Sequence, residues 1–421
     1  MAQKTWVGNA APVQQVTEFV FGGTWESSDV ITLTIGTKTV STTAQSTVTA
    51  TVVSTLVTTW NALSTTNYPE FQEMTATANS ATFILTMDST HAGKPFTVTI
   101  ATTETGGGAA DAQTIDATTS STGTNTTANS GPNVWDVAAN WLEIVIPADT
   151  DTVVIDRGNV DILYGLAQSA IEPTTMTITQ GYTGKIGLPT RNSNGYEEYR
   201  ATYLTIGPAT LNVGTGIGSG STRLKLDTGS DQVVLNVYAT GQSGEAGVHA
   251  LNWKGTHASN VVNVYGGDVG IAMFSGETAV VATLRQNGGT IESGTGLTWT
   301  TISKAGGTLT TNAAATTVTN DAGDLVLKSG AHTTITLTGG TLYYESSGTV
   351  TTLSIYADAI ADFRRNNLAR TVTNCTITVG GSIFDRSKTV TWTNGIDIYQ
   401  CGNEDVTVEI GKHFTLTPSA V

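Results

Sequence analysis

Residues 283–291, TLRQNGGTI, and residues 301–309, TISKAGGTL, carry one plan twice, 18 positions apart. In each, a short run with a leading Thr is followed by a glycine pair and then a second Thr-led run. The first run recurs at 317–319 (TVT), 334–336 (TIT), 352–354 (TLS), 371–373 (TVT) and 389–391 (TVT). Its apolar residues are Leu284, Ile302, Val318, Ile335, Leu353, Val372 and Val390, which lie 18, 16, 17, 18, 19 and 18 apart. The second run follows Gly288-Gly289, Gly306-Gly307, Gly323, Gly339-Gly340 and Gly380-Gly381. Two strand signals and a glycine corner per period of about 18 residues define a β-solenoid, in which each coil turns sharply and lays its inward residues over those of the coil before. Helical repeats are longer and lack the glycine corners.

Outward from this core, LTIGPATLNVGTG, RLKLDTGSDQVVLNVYATG and SNVVNVYGGDVGIAMF read as longer coils of the same object. Their NVY triplets at 236–238 and 263–265 stand 27 residues apart. The coils are therefore expected to run from about 27 to about 16 residues and to taper toward the C-terminal end, where residues 405–421 read as one more alternating strand pair. At the other end, residues 131–160 contain Trp135 and Trp141 flanking Asn140, then Pro147, then Asp151 before Val153, Val154 and Ile155. Two indoles placed there are expected to cap the open end of the stack. This spacing resembles the segment that opens many phage and bacterial surface β-solenoids.

Residues 1–104 read as a small α+β domain. Val30, Thr32 and Thr34 alternate with Ile31, Leu33 and Ile35, the pattern of a half-buried strand. Val48, Val52, Leu56, Trp60 and Leu63 recur every three or four positions, which predicts one amphipathic helix despite its Thr content. Two further alternating runs, around 74–87 and 96–103, are separated by His91, Ala92, Gly93 and Pro95. The order GTWESSDVITLTIGTKTVSTT, helix ending in NAL, FQEMTATANSATFILTM, GKPFTVTI resembles a small domain of bacteriophage virion proteins over residues 14–104. It departs from that pattern at Gly36-Thr37-Lys38, where Asn-Gly-Lys is usual. Residues 105–130, rich in Gly, Ser, Thr, Ala and Asn, read as a linker or extended arm. The expected class is thus mainly β: an N-terminal α+β attachment domain (1–104), a linker (105–130) and an elongated β-solenoid (131–421).

Composition narrows function. About a fifth of the residues are Thr and only 13% are charged; the net charge is −15 and the pI about 4.6. An acidic surface argues against a nucleic-acid partner or an anionic membrane. No run approaches a membrane span, and the N-terminus has no secretion-signal pattern, so the chain is expected to be made in the cytosol. Cys375 and Cys401 are too few and too distant for a disulfide framework and read as packing residues. The glycine-rich stretch 214–226 has no phosphate-loop Lys. His91, His249, His257, His332 and His413 fall in no metal or triad spacing. No cofactor and no metal are expected.

Three groups remain as candidate sites. Tyr196, Glu197, Glu198, Tyr199 and Tyr203 in the run GYEEYRATY could stack and bind a glycan, or contact another subunit. Arg364, Arg365 and Arg370 form the main basic cluster and could dock an acidic neighbour or merely line an inserted loop. Paired carboxylates of the kind that hydrolyse glycosides could come from Asp149, Asp151, Asp156 and Asp161, from Glu197 and Glu198, or from Asp227 and Asp231, but they read more simply as turn residues. The phage resemblance implies a non-enzymatic virion protein assembled in the host cytoplasm: a capsid decoration or cement protein or head fibre, homotrimeric, bound to the major capsid protein or another virion component. The alternatives are a tailspike that binds or cleaves a host surface polysaccharide, and a bacterial surface adhesin.

Overall fold

The computed structural model describes residues 2–105, 112–243, 248–385, 388–399 and 405–410. Cys401, His413 and most of the C-terminal strand pair lie outside them. The chain is mainly β, 44% strand and 6% helix, with a parallel β-solenoid of about 12 turns from about residue 152 onward. Two sheets form the walls. The 14-stranded front sheet runs from Gln3–Thr5 and Thr152–Ile155 to Val390–Trp392 and Ile396–Tyr399, and the 11-stranded back sheet from Leu204–Thr205 to Thr407–Glu409.

Register follows the sequence period through the middle coils. Leu284 pairs with Ile302, Ile302 with Val318, Val318 with Ile335 and Ile335 with Leu353. All five are fully buried, so the inner column is a stack of branched aliphatics. The next member is Cys375, not Val372; Val372 sits beside Val350 instead. The expected column slips because a loop at 364–369 lengthens that coil, and the repeated TVT tripeptide alone cannot reveal a three-residue shift. Cys375 thus packs inside the stack, where burial pushes its thiol pKa up to about 12. The two NVY triplets are in register: the Asn263 amide donates to Asn236 at 2.8 Å, and the rings of Tyr238 and Tyr265 stack at 5.1 Å. Along the column Asn236, Asn263, Arg285, Ser303, Thr319, Thr336, Ser354 and Thr376 the steps are 27, 22, 18, 16, 17, 18 and 22 residues. The solenoid is therefore narrowest in the middle rather than tapering to its C-terminal end.

The glycine corners have a polar lining. Gln286, Lys304 and Asn320 succeed one another in the front sheet, and all three are fully buried. Gln286 donates to the carbonyls of Gly289 and Thr308, Lys304 to that of Ala322, and Asn320 to that of Gly339. These side chains bring buried donors to the corner carbonyls; that of Gly289 also accepts the Thr308 N–H at 2.9 Å. Burial lowers the Lys304 pKa to about 8, against a raising contribution from Asp324. Gly307 adopts φ +72°, and a Cβ there would lie 2.3 Å from the Gly289 carbonyl oxygen, so both conformation and space require glycine.

The N-terminal domain has its own core of residues between Phe19 and Ile115. Ile31, Leu33 and Ile35 are its buried face, as the alternation predicts. The helix Thr49–Asn61 buries Val52, Val53, Leu56 and Trp60, while Val48 is exposed at its cap. The Gly36-Thr37 pair makes a two-residue hairpin turn between Val30–Ile35 and Lys38–Thr43, and glycine supplies the positive φ of +58°. Two features differ from the sequence reading. The strand-like run from Glu18 to Thr43, expected as two strands ahead of the helix, forms three: Val16–Gly22, which pairs with Thr82–Met87, then Val30–Ile35 and Lys38–Thr43. The stretch read as a linker supplies three short strands, Thr114–Ile115, Ser120–Ser121 and Thr124–Thr127, paired to this domain, with Ile115 buried in its core. One buried Ile and edge hydrogen bonding order a polar run that composition alone assigns to a linker.

The solenoid's opening is built by both ends of this arrangement. Gln3–Thr5 pairs in parallel with Thr152–Val154, adding a rung ahead of the solenoid proper. Trp6 then joins Trp135 and Trp141, all three buried, with ring centroids 4.7–6.4 Å apart. Asn140 between the two predicted indoles holds the cap: its amide donates to the carbonyls of Gly131 and Val134, and its side-chain oxygen accepts from Ala10 N–H at 2.7 Å.

Candidate functional site

The run GYEEYR is carried on a hairpin. Arg191 and Glu197 bridge antiparallel, Asn192 N–H donates to Tyr196 O at 2.8 Å, and Gly195 turns the chain at φ +95°. This hairpin leaves the solenoid and lays Tyr196–Arg200 on the N-terminal domain. There it meets Glu73, at the end of the short 3-10 turn Phe71–Glu73 and only 1% exposed.

Glu73 is the centre of the contact. It accepts from Arg200 Nη2 at 2.6 Å, Tyr196 Oη at 2.8 Å, Lys94 Nζ at 3.1 Å and Asn194 Nδ2 at 3.2 Å. Arg200 spends its remaining donors on Glu198 Oε1 at 2.9 Å and the Pro95 carbonyl at 2.6 Å, and its guanidinium lies 4.3 Å from the Tyr199 ring centroid. Tyr199 packs against the N-terminal core, its Cβ so close to Gly36 that a side chain there would approach to 2.8 Å. Glu73, Glu198 and Arg200 are thus desolvated together, with Lys94 half-buried at the edge and most valences satisfied, the condition under which a buried ionic group is tolerated. Burial alone would raise the Glu73 pKa, but Arg200 and Lys94 outweigh it and hold the carboxyl below its usual value. Burial is also the main cause of the raised pKa of Tyr196 and Tyr199. Beside this network lies a cleft of about 360 Å³ between Pro95 and Phe96 on one side and Asp136, Tyr164 and Gln168 on the other, with Arg200 at its edge.

The five candidate residues therefore divide. Tyr196, Glu198 and Tyr199 enter the junction, and Glu197 is exposed beside it. Tyr203 is buried elsewhere, 4.4 Å from Lys254 Nζ and 5.3 Å from Lys225 Nζ, with its pKa raised by burial and then by Glu277. Tyr196 and Tyr199, read as a glycan or subunit contact, are turned onto the chain's own N-terminal domain.

The arginines are occupied too. Arg370 is 3% exposed and donates to the carbonyls of Tyr344 and Leu368. Arg364 pairs with both oxygens of Asp362, at 2.9 and 2.7 Å, and Arg365 pairs with Glu345 at 3.3 Å and lies over Tyr343. They staple the 364–369 loop to the coil beneath it. Four of the candidate carboxylates hold backbone: Asp151 and Asp227 accept within their own turns, from Ala148 N and Gly229 N, while Asp149, Asp151 and Asp161 also reach distant segments, accepting from Glu172 N, Ala2 N and Lys185 N. Asp156 pairs with its neighbour Arg157 at the surface.

Sequence reading misses Glu73 and Lys94: Glu73 lies 127 positions from Arg200 and 21 from Lys94, and no local pattern announces the group. It also misses a back-sheet group: His249 Nδ1 lies 2.6 Å from Asp268 Oδ1, and its Nε2 lies 3.5 Å from Glu292, which in turn faces Lys328 at 3.7 Å. Among the described residues no helix is long and apolar enough to cross a membrane. No protein-family model matches the chain, and neither does any curated protein or solved structure.

Proposed function

We propose that this chain is a non-enzymatic structural component of a bacteriophage particle, a capsid decoration or cement protein or head fibre in which the solenoid is a projecting rod and the N-terminal domain its attachment end. The observation that carries this reading is the junction at Glu73. Arg200, Tyr196 and Lys94 converge on one buried carboxylate, so the rod is fixed to the domain at its base rather than hung on a flexible tether. Such a joint suits a part that holds an orientation on a particle. The resemblance of residues 14–104 to a virion domain supports the same reading. In this role the partner is the major capsid protein or another virion component, the assembly is a homotrimer, and no cofactor is needed.

The test is cryo-electron microscopy of purified particles with a mass-spectrometric count of each component. Hundreds of copies on the capsid fit the proposal; absence from particles, or recovery in a cell-envelope fraction, overturns it in favour of an adhesin. A second reading, a tailspike acting on host polysaccharide, draws on His249 set between Asp268 and Glu292, a charged group on a solenoid wall. Reducing-sugar release from envelope glycans that is lost in Glu292→Gln would establish it.

A further inference from the structure

The geometry points to a calcium site in the N-terminal domain, formed by Glu26, Asp29 and Glu104. Glu26 and Asp29 are the ends of the turn Glu26-Ser27-Ser28-Asp29, closed by Asp29 N–H donating to Glu26 O at 3.2 Å and by Glu26 N–H donating to Asp29 Oδ2 at 2.7 Å. Glu104 comes from another part of the chain. Val30 pairs with Thr103 across antiparallel strands, so the residues just beyond that pair, Asp29 and Glu104, face each other at the sheet's end. Carboxylate oxygens of all three lie within 4.8 Å of one another.

Like charges directly opposite one another destabilise a strand pair, and here a third is added. The second observation concerns Asp29 itself. It is 0% exposed, and its Oδ1 is buried with no hydrogen-bond partner among the described residues. A buried anionic oxygen without a donor is a group that awaits a cation. Gln113, itself buried, holds Glu104 in place: with its amide turned to satisfy both contacts, it donates to Glu104 Oε2 and accepts from Glu104 N–H, each at 3.2 Å.

The donor set is oxygen only, which suits hard cations rather than zinc. Calcium binds oxygens at about 2.3–2.6 Å, so two ligands on opposite sides can stand about 5 Å apart; magnesium, at about 2.0–2.1 Å, draws them to about 4.2 Å and demands a regular octahedron. One buried, one half-buried and one exposed carboxylate leave an irregular site open on one side, where water completes the shell. Calcium bound there ties the 26–29 turn to the end of strand Thr99–Thr103. This inference is independent of the particle role proposed above.

The full chain, stripped with EDTA, is titrated with Tb³⁺, using Trp25 beside the site as the sensitiser, and the bound Tb³⁺ is then displaced with Ca²⁺ or Mg²⁺. The expected result is a saturable luminescence signal displaced by Ca²⁺ at a concentration at least tenfold lower than Mg²⁺ requires, together with a Ca²⁺-dependent rise in thermal midpoint. Asp29→Asn removes the signal and the rise. Glu104→Gln, at an exposed position where folding is not at stake, weakens Tb³⁺ binding at least tenfold with the metal-free midpoint unchanged or higher. No saturable signal in the wild type, equal displacement by Mg²⁺, or an unaltered affinity in Glu104→Gln each overturns the assignment.

Discussion

The coils between Leu284 and Leu353 and the junction at Glu73 are held by opposite kinds of interaction. In the coils, each residue meets its counterpart 16 to 18 positions away in the neighbouring turn, and the stack is aliphatic inside with Gln286, Lys304 and Asn320 tending the corners. At the junction, one carboxylate gathers partners from 21 to 127 positions away, and charge rather than apolar area sets the geometry. A repeat distributes its stability over many equivalent neighbour contacts, whereas the junction concentrates it in a few groups that are costly to leave unpaired.

That contrast can be broken first at Arg200. Arg200→Met strands Glu73 with reduced compensation, and removing one partner of a buried pair costs about 3–5 kcal/mol. In urea unfolding followed by tryptophan fluorescence, this variant is expected to separate the N-terminal domain from the solenoid into two transitions. Ile335→Ala sharpens the other side: it opens a cavity in the stack, costs about 2–5 kcal/mol, and is expected to lower the solenoid transition without splitting it from the rest.

A third test uses protons. His332 is buried in the column, accepts the Ala315 N–H at 3.2 Å, and has its pKa pushed down by burial to about 4. Its folded value lies below the unfolded value of about 6.5, so below pH 6.5 the unfolded chain takes up a proton that the folded chain refuses. Stability from this group is therefore complete above pH 6.5 and falls until about pH 4, by about 3 kcal/mol at 1.36 kcal/mol per unit. His332→Asn, which keeps an acceptor, is expected to remove this difference in pH-dependent unfolding. Glu73 adds a loss at lower pH, since its depressed pKa means stability present above about 4.5 and lost as pH falls through the folded value. The smallest effect is expected from Arg365→Ala, whose partly exposed pair with Glu345 contributes about 0.2–1 kcal/mol; a larger loss would mean that the inserted loop matters more to its coil than the pairing indicates.

The legibility of the molecule follows the same division. The solenoid is readable because its contacts are periodic: a recurring glycine corner and one aliphatic per coil fix the register until the 364–369 insertion shifts Val372 away from Leu353. The cap is half legible, since Trp135 and Trp141 are local in sequence while Trp6 reaches them from 129 positions before Trp135. The GYEEYR run is legible as a cluster with two readings, glycan platform or subunit contact, because Tyr and Glu beside Arg look alike whether they face a ligand, another subunit or a domain of the same chain. Only the position of Glu73 in space decides between these, and nothing near residue 73 in the sequence encodes it. For residues 112–127 the error ran the other way: a composition too polar to fold alone becomes ordered once a sheet edge is available to it.

The central claim, that Glu73 and Arg200 form an internal joint between domain and rod, is tested most directly by a double-mutant cycle. Glu73→Gln, Arg200→Met and the pair together are compared by equilibrium unfolding of the full chain. A joint predicts a coupling of about 2 kcal/mol or more, within the range of groups in direct contact. Losses that add to within about 0.5 kcal/mol, as at distant independent sites, would contradict the account and return Tyr196, Glu198 and Tyr199 to the search for an external ligand.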